Sequence, residues 1–245
     1  MCGIAGFVSL SGAPATPERV AGMIRTLEHR GPDDTGVFVE GPAGVGAARL
    51  SIIDVAGGHQ PIGIGGGITV AQNGEIYNYV ELRQELERVG GHTATACDTE
   101  VIAHLYAAEG VSGFKRMRGM FAVAIWDAPR QRLVLARDRV GKKPLYYYRH
   151  YNELLFGSET KAILAALDQA PPIHAPALLD FLTFGYVAGP DAIFQGMHRL
   201  EPGTALIVDV HAGTLTHERY WSWPDGSVED SRPEEEVIEA LRAEL

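Results

Sequence analysis

Met1-Cys2-Gly3-Ile4-Ala5-Gly6-Phe7 opens the chain, and Cys2 is the residue around which everything else is read. A cysteine behind the initiator methionine is small enough to permit methionine removal. It then carries a thiol, which titrates at ~8.5, and a free α-amine, which titrates at roughly 7.7–8.0. The amine can take the thiol proton directly or through a water, so nucleophile and base sit on one residue. The apolar run that follows predicts a buried strand over Cys2 to Val8, which would hold the reactive end still. The competing reading is a small buried hydrophobe, the commoner role for a cysteine on position alone.

A chain of 245 residues suffices for one large domain or one and a fraction. A net charge of -10 argues against a nucleic-acid partner. Cys2 and Cys97 are the only cysteines, too few for a disulfide framework or a cysteine zinc site, and they fit a reducing cytoplasm. No metal site is expected. The apolar run at the start is too short and lacks the basic flank of a signal peptide, and no stretch is long enough to span a membrane. A cytoplasmic protein with no membrane partner is therefore expected.

Working outward from the first strand, Thr16 and Pro17 start a helix with Val20, Met23, Ile24 and Leu27 inward. Gly31-Pro32 stops it in a polar loop, where Arg30 and Asp33 are either solvated or line a site. Val37 to Val39 and Val45 to Ala48 predict a hairpin running into Arg49. That arginine either pairs with Asp54 or awaits a ligand carboxylate, which its planar fork suits. The glycine-rich stretch from Gly57 to Gly67 reads as a flexible connection. It lacks the Lys-Ser/Thr ending of a phosphate-binding loop.

Ile68 to Ala71 is the next strand, ending in Asn73-Gly74-Glu75. Asn-Gly there is either a tight turn or an oxyanion hole built from the Asn73 amide and the Gly74 N–H. Asn78 caps a helix with Leu82, Leu86 and Val89 inward. Thr99 caps another, with Asp98 either serving the helix start or binding a cationic group. Cys97 reads as packing. Phe121 to Trp126 and Leu133 to Ala136 are strands covered on both faces. Arg137 to Pro144 is a charged loop read as surface. Leu145 to Tyr148 pairs with Leu154 to Gly157, and Ser158 to Lys161 opens a helix to Leu167. After Pro171-Pro172 come a helix around Leu178 to Phe184 and a hairpin across Ala212-Gly213. A last helix follows a capping box at Ser231 and Glu234.

Cys2-Gly3-Ile4, Arg30-Gly31-Pro32-Asp33, Arg49-Leu50-Ser51-Ile52-Ile53-Asp54, Asn73-Gly74-Glu75-Ile76-Tyr77-Asn78, Asp98-Thr99-Glu100, Arg137-Asp138, Lys143-Pro144-Leu145-Tyr146-Tyr147 and Ser158-Glu159 occur in an order that resembles class II glutamine amidotransferases. The chain most resembles the glutaminase half of glutamine-dependent asparagine synthetases. The resemblance implies an α+β fold of the N-terminal nucleophile hydrolase type, a four-layer αββα sandwich. It implies that Cys2 attacks the side-chain amide of L-glutamine and that Asn73 and Gly74 hold the oxyanion. Arg49 would take the α-carboxylate, and Glu75 and Asp98 the α-ammonium. The backbone through Leu50, Ile52 and Ile53 would line the pocket. A γ-glutamyl thioester would form and then hydrolyse.

By the same resemblance, residues 1–222 are a glutaminase domain. Residues 223–245 are a linker and the first helix of a C-terminal synthetase domain that is truncated or missing. The ATP-binding Ser-Gly-Gly-x-Asp-Ser loop of that domain does not occur here, so ATP and magnesium are implied only for the synthetase, on a continuing or a separate chain. A homodimer is compatible with the resemblance. Two other functions stay open: a non-catalytic scaffold that docks a synthetase, and an N-terminal nucleophile hydrolase for another amide. Met1 must leave before Cys2 has a free amine.

Overall fold

Side chains along the first strand alternate between two cores, and that alternation sets the layers. In the computed structural model, which describes residues 1–224, 226 and 231–244, β1 (Gly3–Ser9) turns Ile4 and Val8 to one side and Ala5 and Phe7 to the other. Then follow α1 (Pro17–Arg25), β2 (Asp34–Glu40), β3 (Ala43–Arg49), β4 (Ile62–Ile64), β5 (Ile68–Ile76), α2 (Tyr79–Arg88) and α3 (Asp98–Glu109). A 3-10 turn at Gly110–Arg116 leads to β6 (Gly119–Asp127), β7 (Arg132–Arg137), β8 (Tyr146–His150) and β9 (Glu153–Gly157). The rest is α4 (Thr160–Leu164), α5 (Ala175–Phe184), β10 (Met197–Arg199), β11 (Thr204–Asp209), β12 (Thr214–Arg219) and α6 (Glu234–Glu244).

Two antiparallel sheets result, ordered β10-β8-β9-β1-β3-β2 and β12-β11-β7-β6-β5-β4. Ile4, Val45, Ala47, Ala71, Ala122, Ala124, Trp126 and Phe156 pack between them. Small alanines let the sheets close up near one end, while Trp126 fills the space further along β6. Val20, Met23, Ile24 and Leu27 cover the outer face of the first sheet. Val101, Ile102, Leu105 and Leu82 cover that of the second. Each full burial of a Leu- or Phe-sized side chain stabilises the fold by roughly 1.5–3 kcal/mol. The layers are therefore helix, sheet, sheet, helix, the expected sandwich.

Several local expectations are corrected. Asn73-Gly74 is no turn: β5 runs through it, with Asn73 opposite Ala122 and Gly74 opposite Phe121. The stretch from Gly57 to Gly67 contains β4 and a buried Gln60 whose side chain caps the N–H of Gln72 at 2.7 Å, so it is anchored where flexibility was expected. Thr99 is not the cap of α3; Cys97 holds that position, and the Thr99 hydroxyl donates to Gln72 instead. Val89 points to solvent.

Larger still is the change at Arg137 to Pro144. Arg137, Asp138 and Lys143 are buried, because the Arg137 guanidinium donates to the carbonyls of Lys143, Gly141 and Leu200. The last helix begins at Glu234, two residues later than a cap at Ser231 would set it. Residues 225 and 227–230 of the expected linker, and Leu245, lie outside the described residues. No helix among the described residues is long and apolar enough to cross a membrane.

Candidate active site

The register of β1 on β3 builds the site. Gly3 pairs with Ala48 and Ile4 with Ala47, so one further step sets Cys2 opposite Arg49. Both continue the faces of Ile4 and Ala47, which point between the sheets. The Cys2 thiol lies against the next residue of that chain: the Leu50 N–H donates to Sγ at 3.4 Å, and Sγ donates to the Leu50 carbonyl at 3.6 Å. Burial pushes the thiol up, while the Leu50 N–H, the terminal amine and Arg49 pull it down and Glu75 raises it.

Arg30, from the loop after α1, fixes the Cys2 backbone. Its Nε donates to the Cys2 carbonyl at 3.0 Å and its Nη1 to Glu159 at 2.8 Å. Burial raises Glu159, yet its bonds from Arg30, Lys161 and His29 win and hold it at about 2. Asp33 instead caps the N–H of Ser51 at 2.8 Å and so shapes the turn after Arg49.

Arg49 does not pair with the Asp54 carboxylate. Its guanidinium donates to the carbonyls of Ile53, Asp54 and Val55, and the Asp54 carboxylate accepts the N–H groups of Gly57 and Ala96. The loop is thereby wrapped around an arginine that is 3% exposed and has no carboxylate partner among the described residues. Ile53 is half-buried in that wrap, and Ile52 stands 61% exposed.

From the other sheet, β5 aims Asn73 into the same interior, two residues along the face of Ala71. Asn73 is fully buried, yet neither its Nδ2 nor its Oδ1 has a hydrogen-bond partner among the described residues. Such an orphan costs about 1–3 kcal/mol and calls for an explanation. Gly74 follows at φ 148°, and a Cβ there would stand 2.0 Å from the Met120 carbonyl. Only glycine fits.

Burial and the nearby Asp98 raise the Glu75 carboxyl to about 7, against the pull of Lys143 and Arg49. Asp98 itself is buried and internally engaged. Its Oδ2 accepts Gln72 Nε2 at 3.0 Å and the Ile76 N–H at 2.9 Å. It thus braces the strand carrying Asn73 and Gly74 and faces Glu75 by charge.

Cys2, Arg49, Leu50, Glu75 and Asp98 are thus brought together with Asn73 and Gly74, while the Ile52 side chain stands outside. Two participants escaped sequence reasoning. Gln60 lay hidden in a glycine-rich stretch. Lys143 was hidden in a charged run, although the two-residue spacing Lys143, Leu145, Tyr147 marks a buried face. No cluster of three or more His, Cys, Asp or Glu placed to hold a metal occurs among the described residues. A separate cleft of about 490 Å³ lined by Tyr147, His198, Glu201 and His217 shares no residue with this site.

Two stacked antiparallel sheets between helical layers, with a cysteine heading a central strand, define the N-terminal nucleophile type of hydrolase fold. The chain belongs to the glutamine amidotransferase family: the family model for a glutamine amidotransferase domain matches residues 1–221. The fold is similar to that of glutamine phosphoribosylpyrophosphate amidotransferase from B. subtilis, with a TM-score of 0.64 and 22% identity over 90% of this chain and 49% of that one.

In sequence, the chain is 36% identical to asparagine synthetase [glutamine-hydrolyzing] 3 of Bacillus subtilis, over 91% of this chain and 37% of that one. It is 34% identical to asparagine synthetase [glutamine-hydrolyzing] 2 of the same organism, over 99% and 34%. It is also 34% identical to the amidase chry2 of Gibberella zeae, over 100% and 38%. The chain spans less than half the length of each of these relatives.

Proposed function

We propose that this chain hydrolyses the side-chain amide of L-glutamine once Met1 has been removed. The Cys2 α-amine takes the thiol proton, and Sγ attacks the amide carbon. The amide oxygen, negative in the tetrahedral intermediate, accepts from Asn73 Nδ2 and the Gly74 N–H. Collapse breaks the C–N bond, the leaving nitrogen takes the proton held by the α-amine, and ammonia departs. Water then opens the γ-glutamyl thioester to give glutamate. Arg49 receives the α-carboxylate, Glu75 and Asp98 face the α-ammonium, and the backbone of Leu50, Ile52 and Ile53 lines the pocket. One observation carries this assignment: the buried Asn73 amide, without a partner among the described residues, stands in the interior between the sheets that Cys2 also faces.

The ammonia would pass to an ATP-dependent synthetase-like partner, as the names of the longer relatives suggest. ATP and magnesium would belong to that partner, and the acceptor would be aspartate or another carboxylate. A large exposed apolar strip supports a covering domain of this kind: Leu179, Leu182, Phe184 and Tyr186 on and after α5 are each at least 60% exposed. A reducing cytoplasm suits the free thiols of Cys2 and Cys97.

The test is intact mass after incubation with 6-diazo-5-oxo-norleucine, beside glutamate release from glutamine. Labelling of one site in protein lacking Met1, lost in Cys2→Ala, is the expected result. A folded, processed protein that neither labels nor releases glutamate would overturn the assignment and favour a docking scaffold.

A further inference from the structure

Lys143 has no part in the roles given above. Leu145 and Tyr147 face the core between the sheets, and Lys143 precedes them by two-residue steps. Strand register puts the start of β8 at the same end of the sheet as Cys2. Ala5 of β1 and Tyr146 of β8 both stand opposite Gly157 of β9. Both pairings are antiparallel, so β1 and β8 run parallel and begin at one end of the sheet, with Cys2 just before β1 and Lys143 in the bend that leads into β8.

β9 does not continue between them. After Gly157 the Ser158 N–H closes on the Ile4 carbonyl and α4 begins at Thr160. Backbones two strands apart lie about 10 Å from each other, a gap the lysine stem can cross. Asp138 holds the base of that stem. Its Oδ2 accepts the Lys143 N–H at 2.9 Å and the Phe121 N–H at 3.2 Å, and Phe121 is the partner of Gly74.

Lys143 is 3% exposed, and its ammonium has neither an ion pair nor a hydrogen bond among the described residues. The charged and titratable groups facing it are Arg30, Cys2, Glu75 and Asp138. Those facing Cys2 include the terminal amine, Glu75 and Arg49. Glu159 stands behind Arg30, and Asp98 behind Glu75. A buried cation with no direct ion pair favours any neighbour that can become an anion, and the thiol is the nucleophile among them.

We infer that Lys143 is the standing cation that supports the Cys2 thiolate, acting through that sulfur and not by touching glutamine. The inference rests on the glutaminase reading for its purpose, but its test does not. The rate of Cys2 alkylation by iodoacetamide is followed against pH in protein lacking Met1, without glutamine, with peptide mapping to separate Cys2 from Cys97. Lys143→Met, which keeps the apolar stem, is expected to raise the apparent thiol pKa by about one unit, roughly tenfold slower alkylation near neutral pH. Lys143→Arg is expected to keep the parent profile. Coincident profiles for parent and folded Lys143→Met overturn the inference.

Should Lys143→Met not fold, the Lys143 13Cε resonance of the parent decides, identified by its loss in Lys143→Arg. It must move when Cys2 is alkylated, and an unmoved resonance overturns the inference. Glutamate release is measured in parallel. A shifted alkylation profile in a parent that releases no glutamate overturns the glutaminase reading and upholds the thiolate support. An unshifted profile with glutamate release intact overturns the role of Lys143 alone.

Discussion

Asn73 buries a whole amide and satisfies neither end of it, an arrangement that lowers stability and is useful only if a ligand completes it. Function and stability therefore pull in opposite directions at this residue. Asn73→Leu keeps the volume and removes both orphaned atoms. It is expected to raise the midpoint of urea unfolding by an amount corresponding to about 1 kcal/mol or more, while glutamine hydrolysis falls on the order of a hundredfold or more. A variant that is less stable than the parent would show that the amide is satisfied after all. The same residue marks how far sequence reading reaches. Asn73-Gly74 carried a turn and an oxyanion hole as equal readings, because local chemistry permits both. The pairing of β5 with β6 decided against the turn.

Elements carry the site by their ends and registers. β5 must pass within a carbonyl's width of β6 at Gly74, since any Cβ would meet the Met120 carbonyl and the Phe121 backbone. Gly74→Ala is expected to open the β5–β6 ladder locally, to lower stability by roughly 1–3 kcal/mol from backbone strain, and to abolish glutamate release. Equilibrium unfolding and amide exchange at Phe121 and Ala122 would report it. Unchanged exchange would mean that the strands can part without cost. The loop from Arg137 to Lys143 illustrates the opposite lesson. Its charges made it look solvated, yet Arg137 and Asp138 are buried because each pairs with backbone groups of other segments. At Arg137 and Asp138 no local pattern distinguishes a charge facing water from one facing a distant backbone group.

At the scale of the whole molecule, Glu159 ties the end of β9 to the loop after α1 through Arg30 and His29. Its carboxyl is held at about 2, below its ordinary value of 4.5, so the folded state binds this proton less readily than the unfolded chain. The stabilisation is present above the ordinary carboxylate range and is lost as pH falls from there towards 2. Glu159→Gln is expected to remove on the order of 2 kcal/mol at neutral pH and to flatten acid unfolding in that window. Superimposable acid titrations of the two proteins would count against the tie.

Read alone, the sequence already determined the buried first strand and the inward face of α1, and it marked Cys2 as a candidate nucleophile. All of these follow from short-range periodicity and from the residues next to the chain start. Only the tertiary structure set Cys2 opposite Arg49 and left the Asn73 amide unpartnered. It also turned Arg49 to the carbonyls of its own loop and carried Lys143 inward. Those outcomes depend on strand order and on pairing between residues tens of positions apart, which local spacing does not encode.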